Sequence, residues 1–172
     1  IHRFNKKIPK TFLNKHPETQ YLSLINRIIK NGHHAETRNG KTRGLLGESM
    51  RFSLANSTLP LFTSKKMAWK TCLKELLWFI SGNTNNKTLN QQNVHIWDQN
   101  ASKEFIASRE LPYKPGDLGP IYGHQWRHFN AKYNGCDENY QGKGIDQLEN
   151  IIWQLKIAAQ NAHRKKLQKL KG

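Results

Sequence analysis

The sequence predicts a mixed α/β (α+β) fold, on three observations. Apolar residues recur at helical spacing in several segments, two short stretches read as strands, and Gly- and Pro-rich connections separate them. With 172 residues, 36% of them hydrophobic and including five Trp and seven Phe, the chain has the size of one domain and can bury a core.

Taken in order, residues 1–16 are basic and nearly aperiodic and read as an extended arm. From Glu18 the pattern changes: Tyr21, Leu22, Ile25, Ile28 and Ile29 lie on one helical face, and Asn31-Gly32 stops the helix. His33 to Gly47 is polar and Gly-rich and reads as a loop leading into a strand, where Met50, Phe52 and Leu54 alternate with Arg51 and Ser53. Met67 to Ile80 is apolar on more than one face, which predicts a central helix closed by Ser81-Gly82. Two shorter helices, 84–91 and 102–109, flank a strand-like Val94-His95-Ile96-Trp97. Residues 111–123, with three Pro and three Gly, read as a structured loop. Ile145, Leu148, Ile151, Ile152 and Leu155 mark a last amphipathic helix, and after Lys156 the apolar pattern gives way to a basic tail.

Charge is the unusual bulk property, at +16. The arm carries Arg3, Lys6, Lys7, Lys10 and Lys15, and the tail Arg164, Lys165, Lys166, Lys169 and Lys171, neither with an acid among them. Basic blocks repel one another unless a polyanion neutralises them, so these ten cations are the candidate RNA contacts. Cys72 and Cys136 are far apart and lack a C-x-x-C pattern, which argues against a disulfide scaffold or a zinc ribbon. No metal site is expected: the adjacent imidazoles of His33-His34 point apart and have no third ligand. Gly40-Lys41-Thr42 ends like a P-loop, but position 35 is Ala rather than the required Gly. No apolar run approaches the roughly 20 residues that span a bilayer.

Five stretches then carry a resemblance. They are Leu59-Pro60-Leu61-Phe62-Thr63-Ser64-Lys65-Lys66, Glu75 to Asn85 (ELLWFISGNTN), Val94-His95-Ile96-Trp97-Asp98, Gly116 to Phe129 (GDLGPIYGHQWRHF) and Gly142 to Leu148 (GKGIDQL). In this order and spacing they resemble the folate-dependent thymidylate synthase family over about residues 18–156. The resemblance implies part of a three-layer fold around a mixed sheet, with the carboxy-terminal half of the family fold missing. It divides the chain into a basic arm (1–16), a synthase-like half-domain (17–156) and a basic tail (157–172). Residue by residue, it implies that Glu75 manages proton transfers, a role suited to a buried carboxylate. It places Trp97 at the folate, Tyr122 near the nucleotide, Lys65 near the folate tail, and Asp98 within a matched site stretch. Arg38, in Arg38-Asn39-Gly40, is a candidate phosphate ligand.

The pattern also breaks. The family reaction needs a cysteine thiolate to attack the pyrimidine, and neither Cys72 nor Cys136 falls at a matching position. The family's Arg-Arg pair has no counterpart in Ile157 to His163. These departures and the basic ends lead to an expectation of a non-catalytic pseudoenzyme without a cofactor. It would be a structural, RNA-contacting subunit of a large ribonucleoprotein such as a mitochondrial ribosome. Its partners would be ribosomal RNA and neighbouring proteins covering the incomplete sheet, with no membrane and with homodimerisation as a weaker option. The start at Ile1 is what a cleaved organelle presequence leaves, which fits a mitochondrial location. The alternative is a truncated or split synthase that methylates deoxyuridylate with a second half supplied. That reading needs 5,10-methylenetetrahydrofolate and suits the cytoplasm.

Overall fold

The computed structural model describes residues 16–37 and 40–169, and they divide into two compact units, one up to Met67 and the other from Ala68. The class is as expected, helical with a small sheet. The sheet among the described residues is a two-stranded antiparallel hairpin.

In the first unit, helix α1 (Thr19–Asn31) ends where the Gly32 N–H returns to the Ile28 carbonyl at 2.8 Å. Strands β1 (His33–Thr37) and β2 (Gly40–Gly44) follow, in a register running from His33 opposite Gly44 to Thr37 opposite Gly40. This hairpin replaces the loop expected over 33–47. Both its faces are polar and exposed, so no apolar alternation announces it. The strand expected at 50–54 is not formed. Gln20 takes its ladder bonds: the side-chain amide donates to the Arg51 carbonyl at 2.7 Å and accepts from the Arg51 N–H at 2.9 Å. A single 3-10 turn spans Ala55–Ser57.

The second unit opens with α2 (Trp69–Ile80), as its apolar run predicts. Gly82 closes it with a φ of +77°, a conformation that favours glycine. Helix α3 (Asn86–Asn90) is capped by the Asn85 side chain, which accepts from the Lys87 N–H at 3.0 Å. Helix α4 (Lys103–Ser108) is capped by Ser102, which accepts from the Phe105 N–H at 3.1 Å. Between them Val94–Trp97 is not a strand. Its backbone bonds are local, Val94 N–H to Leu89 O at 3.1 Å and Ala101 N–H to Trp97 O at 3.0 Å, and they wind the segment into turns that bury Val94.

Helix α5 (Tyr122–Arg127) lies inside the expected loop and its following segment. It starts hard against the end of α2: a Cβ on Gly123 would stand 2.6 Å from the Asn83 carbonyl oxygen. Helix α6 (Gln147–Lys169) opens on Asp146, whose carboxylate accepts from the Glu149 N–H at 2.9 Å. It runs unbroken past Lys156, where the amphipathic pattern stops, because Ala158, Ala159, Gln160, Ala162 and the lysines are strong helix formers without needing an apolar face. The core of this unit is Trp78, Leu89 and Val94, with Phe79, Trp97, Leu118 and Ile121 packed on it.

Candidate functional site

Four of the residues that the family resemblance singles out, Glu75, Trp97, Asp98 and Tyr122, lie in the second unit. Glu75 lies on the half-buried side of α2, one turn before Phe79. The Trp97 indole N–H donates to a Glu75 carboxylate oxygen at 2.8 Å, and no other donor among the described residues bonds this carboxylate. Glu75 is half-buried, where a buried carboxylate was expected. The Phe79 ring stands edge-on to Trp97 at 6.3 Å, to Tyr122 at 5.2 Å and to Trp126 at 5.8 Å. Trp97 and Tyr122 are 6.4 Å apart, and Tyr122 keeps 54% of its surface open. The result is an aromatic wall with a carboxylate set into its edge.

Two polar networks hold the wall in place. Asp98, next to Trp97, accepts from the Asn86 amide at 2.7 Å and pairs with the His95 ring at 2.9 Å. The Asn86 bond, seconded by His95, holds its carboxyl below the ordinary carboxylate range even though partial burial pulls the other way. The turn that carries Trp97 is thereby pinned to the start of α3. The second network fixes the loop that leads to Tyr122. Buried Asp117 accepts from the Tyr133 hydroxyl at 2.6 Å, the Gly119 N–H at 2.8 Å and the Cys136 N–H at 3.1 Å. Burial, and then the bond to Asp117, push the Tyr133 phenol far above its usual value, so it remains a donor. The Leu118 N–H completes the seam on the Thr84 carbonyl at 3.1 Å.

Lys65 belongs to the first unit and is exposed, with its ammonium 5.5 Å from the Tyr21 ring centre and 5.9 Å from that of Phe62. Sequence reasoning missed Glu18, which is 6% exposed at the start of α1. Its carboxylate accepts from the Thr63 N–H at 3.0 Å, the Thr63 hydroxyl at 2.7 Å, the Ser64 N–H at 2.8 Å and the Ser64 hydroxyl. Burial alone would raise its carboxyl, but these donors outweigh it and bring the group down to about 2. Nothing local in the sequence marks Glu18, since its partners lie about 45 residues away. Asn86 was missed as well, as one of three asparagines among Asn83, Asn85 and Asn86.

Arg38 and the candidate contacts Arg3, Lys6, Lys7, Lys10, Lys15 and Lys171 lie outside the described residues, as do the side chains of Lys165, Lys166 and Lys169. Arg164 is exposed on α6, so this part of the expected tail is helix. No helix among the described residues is long and apolar enough to cross a membrane.

The geometry sets a half-buried carboxylate beside an aromatic wall, and comparison with known proteins gives the family. The thymidylate synthase family model matches residues 19–168, and the chain belongs to that family. It is 51% identical over 143 residues to the probable thymidylate synthase of Schizosaccharomyces pombe, covering 81% of this chain and 23% of that protein. It is 49% identical over 143 residues to the bifunctional dihydrofolate reductase-thymidylate synthase of Leishmania amazonensis, covering 82% and 28%. With the thymidylate synthase of Ascaris suum the identity is 48% over 141 residues, covering 81% and 48%. The chain thus spans about half the length of this last relative and less of the other two.

These matches overturn the expected structural role in a mitochondrial ribosome, and with it the pseudoenzyme and RNA-binding readings. Near half identity to proteins named as synthases extends through most of the chain. The ribonucleoprotein reading rested on lysine-rich ends and on the missing nucleophile, and charge alone does not separate a polyanion partner from a solvated helix. The stretch from 157, taken as foreign to the family, falls within the family match as far as residue 168.

Proposed function

We propose that this chain supplies part of the methylating centre of a thymidylate synthase, with deoxyuridylate as substrate, and that the rest of the family fold completes the site. The observation that carries this reading is the Trp97–Glu75 hydrogen bond set into the Phe79–Tyr122 wall. A flat heteroaromatic ring has a stacking surface there, and a carboxylate in reach of it can accept and return a proton through water.

The residues present suit 5,10-methylenetetrahydrofolate, the family's cofactor, because the wall offers open ring area beside one charged acceptor. When bound, this cofactor supplies the one-carbon unit and the hydride. Trp97 would hold the flat rings, Tyr122 would lie near the nucleotide, and Glu75 would move a proton. Asp98 fixes the turn beneath Trp97.

The chain as given is proposed not to turn over unaided. A nucleophilic thiol needs a depressed pKa, whereas burial first, then Asp117 and Asp137, push Cys136 up to about 11. Surface chemistry supports a completing segment. Leu73, Leu76, Leu77 and Ile80 of α2, and Ile151, Ile152, Trp153 and Leu155 of α6, are all exposed. Apolar faces of this extent mark surfaces built to be covered, and relatives about twice as long have further chain to cover them.

The test is to mix the purified chain with a polypeptide comprising the remaining length of the Ascaris suum relative, then assay deoxythymidylate formation from deoxyuridylate and methylenetetrahydrofolate. Activity in the mixture, absent from either component, is the expected result. A stable complex that binds both ligands but forms no product would overturn the proposal.

A further inference from the structure

We infer that the cavity lined by residues 112–117 and 133–138, with Asn85 and Lys87, is a binding site for a small organic anion, a flat ring system bearing one carboxylate. It shares no lining residue with the Glu75–Trp97 wall and does not depend on the synthase reading.

The cavity holds about 550 Å³, within the range of preformed small-molecule sites. Its apolar part is held rigidly. Pro112 and Pro115 restrict the backbone on either side of Tyr113. The Tyr113 ring is pressed against Gly119, where a Cβ would stand 2.5 Å from its Cε2. It meets the Tyr133 ring edge to face, with centres 5.7 Å apart and planes at 86°. Tyr133 is fixed in turn through its hydroxyl, by Asp117 at 2.6 Å and by the Thr84 hydroxyl at 2.8 Å. Two rings at right angles make a corner that takes a flat ring against the face of one and the edge of the other.

The polar groups of the lining select the charge. Every carboxylate there is already engaged. Asp117 accepts from Tyr133, Gly119 and Cys136, Asp137 from the Asn85 amide at 3.0 Å, and Glu138 from the Lys143 ammonium at 2.6 Å. By contrast, the ammonium groups of Lys87 and Lys114 have no acceptor among the described residues. Lys87 is laid along the rim by Gly116, whose φ is +94°: the lysine Cε lies 3.4 Å from where a Cβ would stand. An ammonium is a donor only, so the unmet demand of the cavity is for acceptors. Two free ammonium groups can clasp one carboxylate. Further negative charge would face Asp117 and Asp137 with no cation left to neutralise it.

The test uses the full chain, with 2-naphthoate as ligand and 2-naphthamide as its uncharged twin. Alkylation by N-ethylmaleimide, followed by mass spectrometry, reports occupancy at two thiols. Cys136 lines the cavity, whereas Cys72 is exposed on α2 and serves as the control. Saturating 2-naphthoate should slow labelling of Cys136 about tenfold and change Cys72 by less than about twofold. The amide should bind about tenfold more weakly, because it forfeits the hydrogen bonds to charged groups. K87Q/K114Q alters two exposed side chains and should bring the carboxylate down to the affinity of the amide. Inorganic phosphate should neither protect Cys136 nor displace 2-naphthoate.

Unimpeded labelling of Cys136 at saturating concentrations of either ligand would overturn the inference. So would equal affinity for the acid and the amide, or an affinity for the acid that survives K87Q/K114Q. Protection by inorganic phosphate would refute the ring requirement, and NMR shifts at the Trp97 indole without protection of Cys136 would place the ligand on the wall instead.

Discussion

The two units of this chain are organised by opposite means. Among its described residues the first buries one side chain, the carboxylate of Glu18, and arranges a loop around it with hydrogen bonds. The second buries Trp78, Leu89 and Val94 and hangs an aromatic wall on them. The difference teaches where positional precision comes from in each. A polar clamp fixes one short segment and leaves Leu22 and Ile29 of its own helix exposed. An apolar core fixes several elements together, and the polar groups around it only adjust their ends.

The largest expected effect lies in the second unit. Trp78→Ala removes the ring at the centre of the core and its indole bond to the Thr88 hydroxyl at 2.8 Å. It should cost about 3–5 kcal/mol, as for other large-to-small changes at buried aromatics. Denaturant unfolding followed by the fluorescence of the remaining tryptophans checks this, and a loss under about 1 kcal/mol would mean the wall does not depend on the core. Glu18→Gln comes next. It keeps the shape but loses the charge and leaves buried donors underserved, at a cost of about 1–3 kcal/mol. That loss should appear in NMR signals of Tyr21, Phe62 and Thr63 while the Trp97 indole N–H stays in place.

Acid separates the units again. Glu18 is ionised in the folded chain down to about 2, against an ordinary value of 4.5. The unfolded chain therefore binds the extra proton first, so the clamp's contribution is complete above about 4.5 and is lost as pH falls from there through about 2. In the second unit His128 is pushed below its ordinary 6.5, by burial first and then by the neighbouring His124 and Arg127 charges. Its neutral form is favoured by folding, so it takes stability away as pH drops below 6.5, a window that opens earlier. Amide exchange at Thr63 and at Phe129, read from pH 7 to pH 3, should show the two windows. Coincident loss would mean the units respond as one. The smallest effect is at the caps. Ser102→Ala frees the Phe105 N–H and should cost about 1 kcal/mol, seen as faster exchange confined to the first turn of α4.

The sequence made some of this legible and hid the rest for identifiable reasons. Helices α1 and α2 follow from apolar spacing, because burial of a face writes itself into a 3.6-residue period. The hairpin did not, because no face of it is buried. Val94–Trp97 misled because β-branched residues satisfied a strand pattern while their hydrogen bonds stayed within the turn. Glu75, Trp97 and Tyr122 were singled out through family motifs, not through any local chemical signature. Glu18 was out of reach, since a carboxylate that bonds a loop some 45 residues away leaves no spacing to detect.

Glu75, held by the Trp97 indole, is proposed to be a working acid–base group once the family fold is complete. The most direct measurement is the turnover of deoxyuridylate by this chain combined with the remaining length of a relative, compared with the same mixture bearing Glu75→Gln. A general acid–base group contributes about 10²–10⁴-fold, so the substitution should lower kcat by at least about a hundredfold while both ligands still bind. A mixture whose kcat survives Glu75→Gln unchanged would contradict the account.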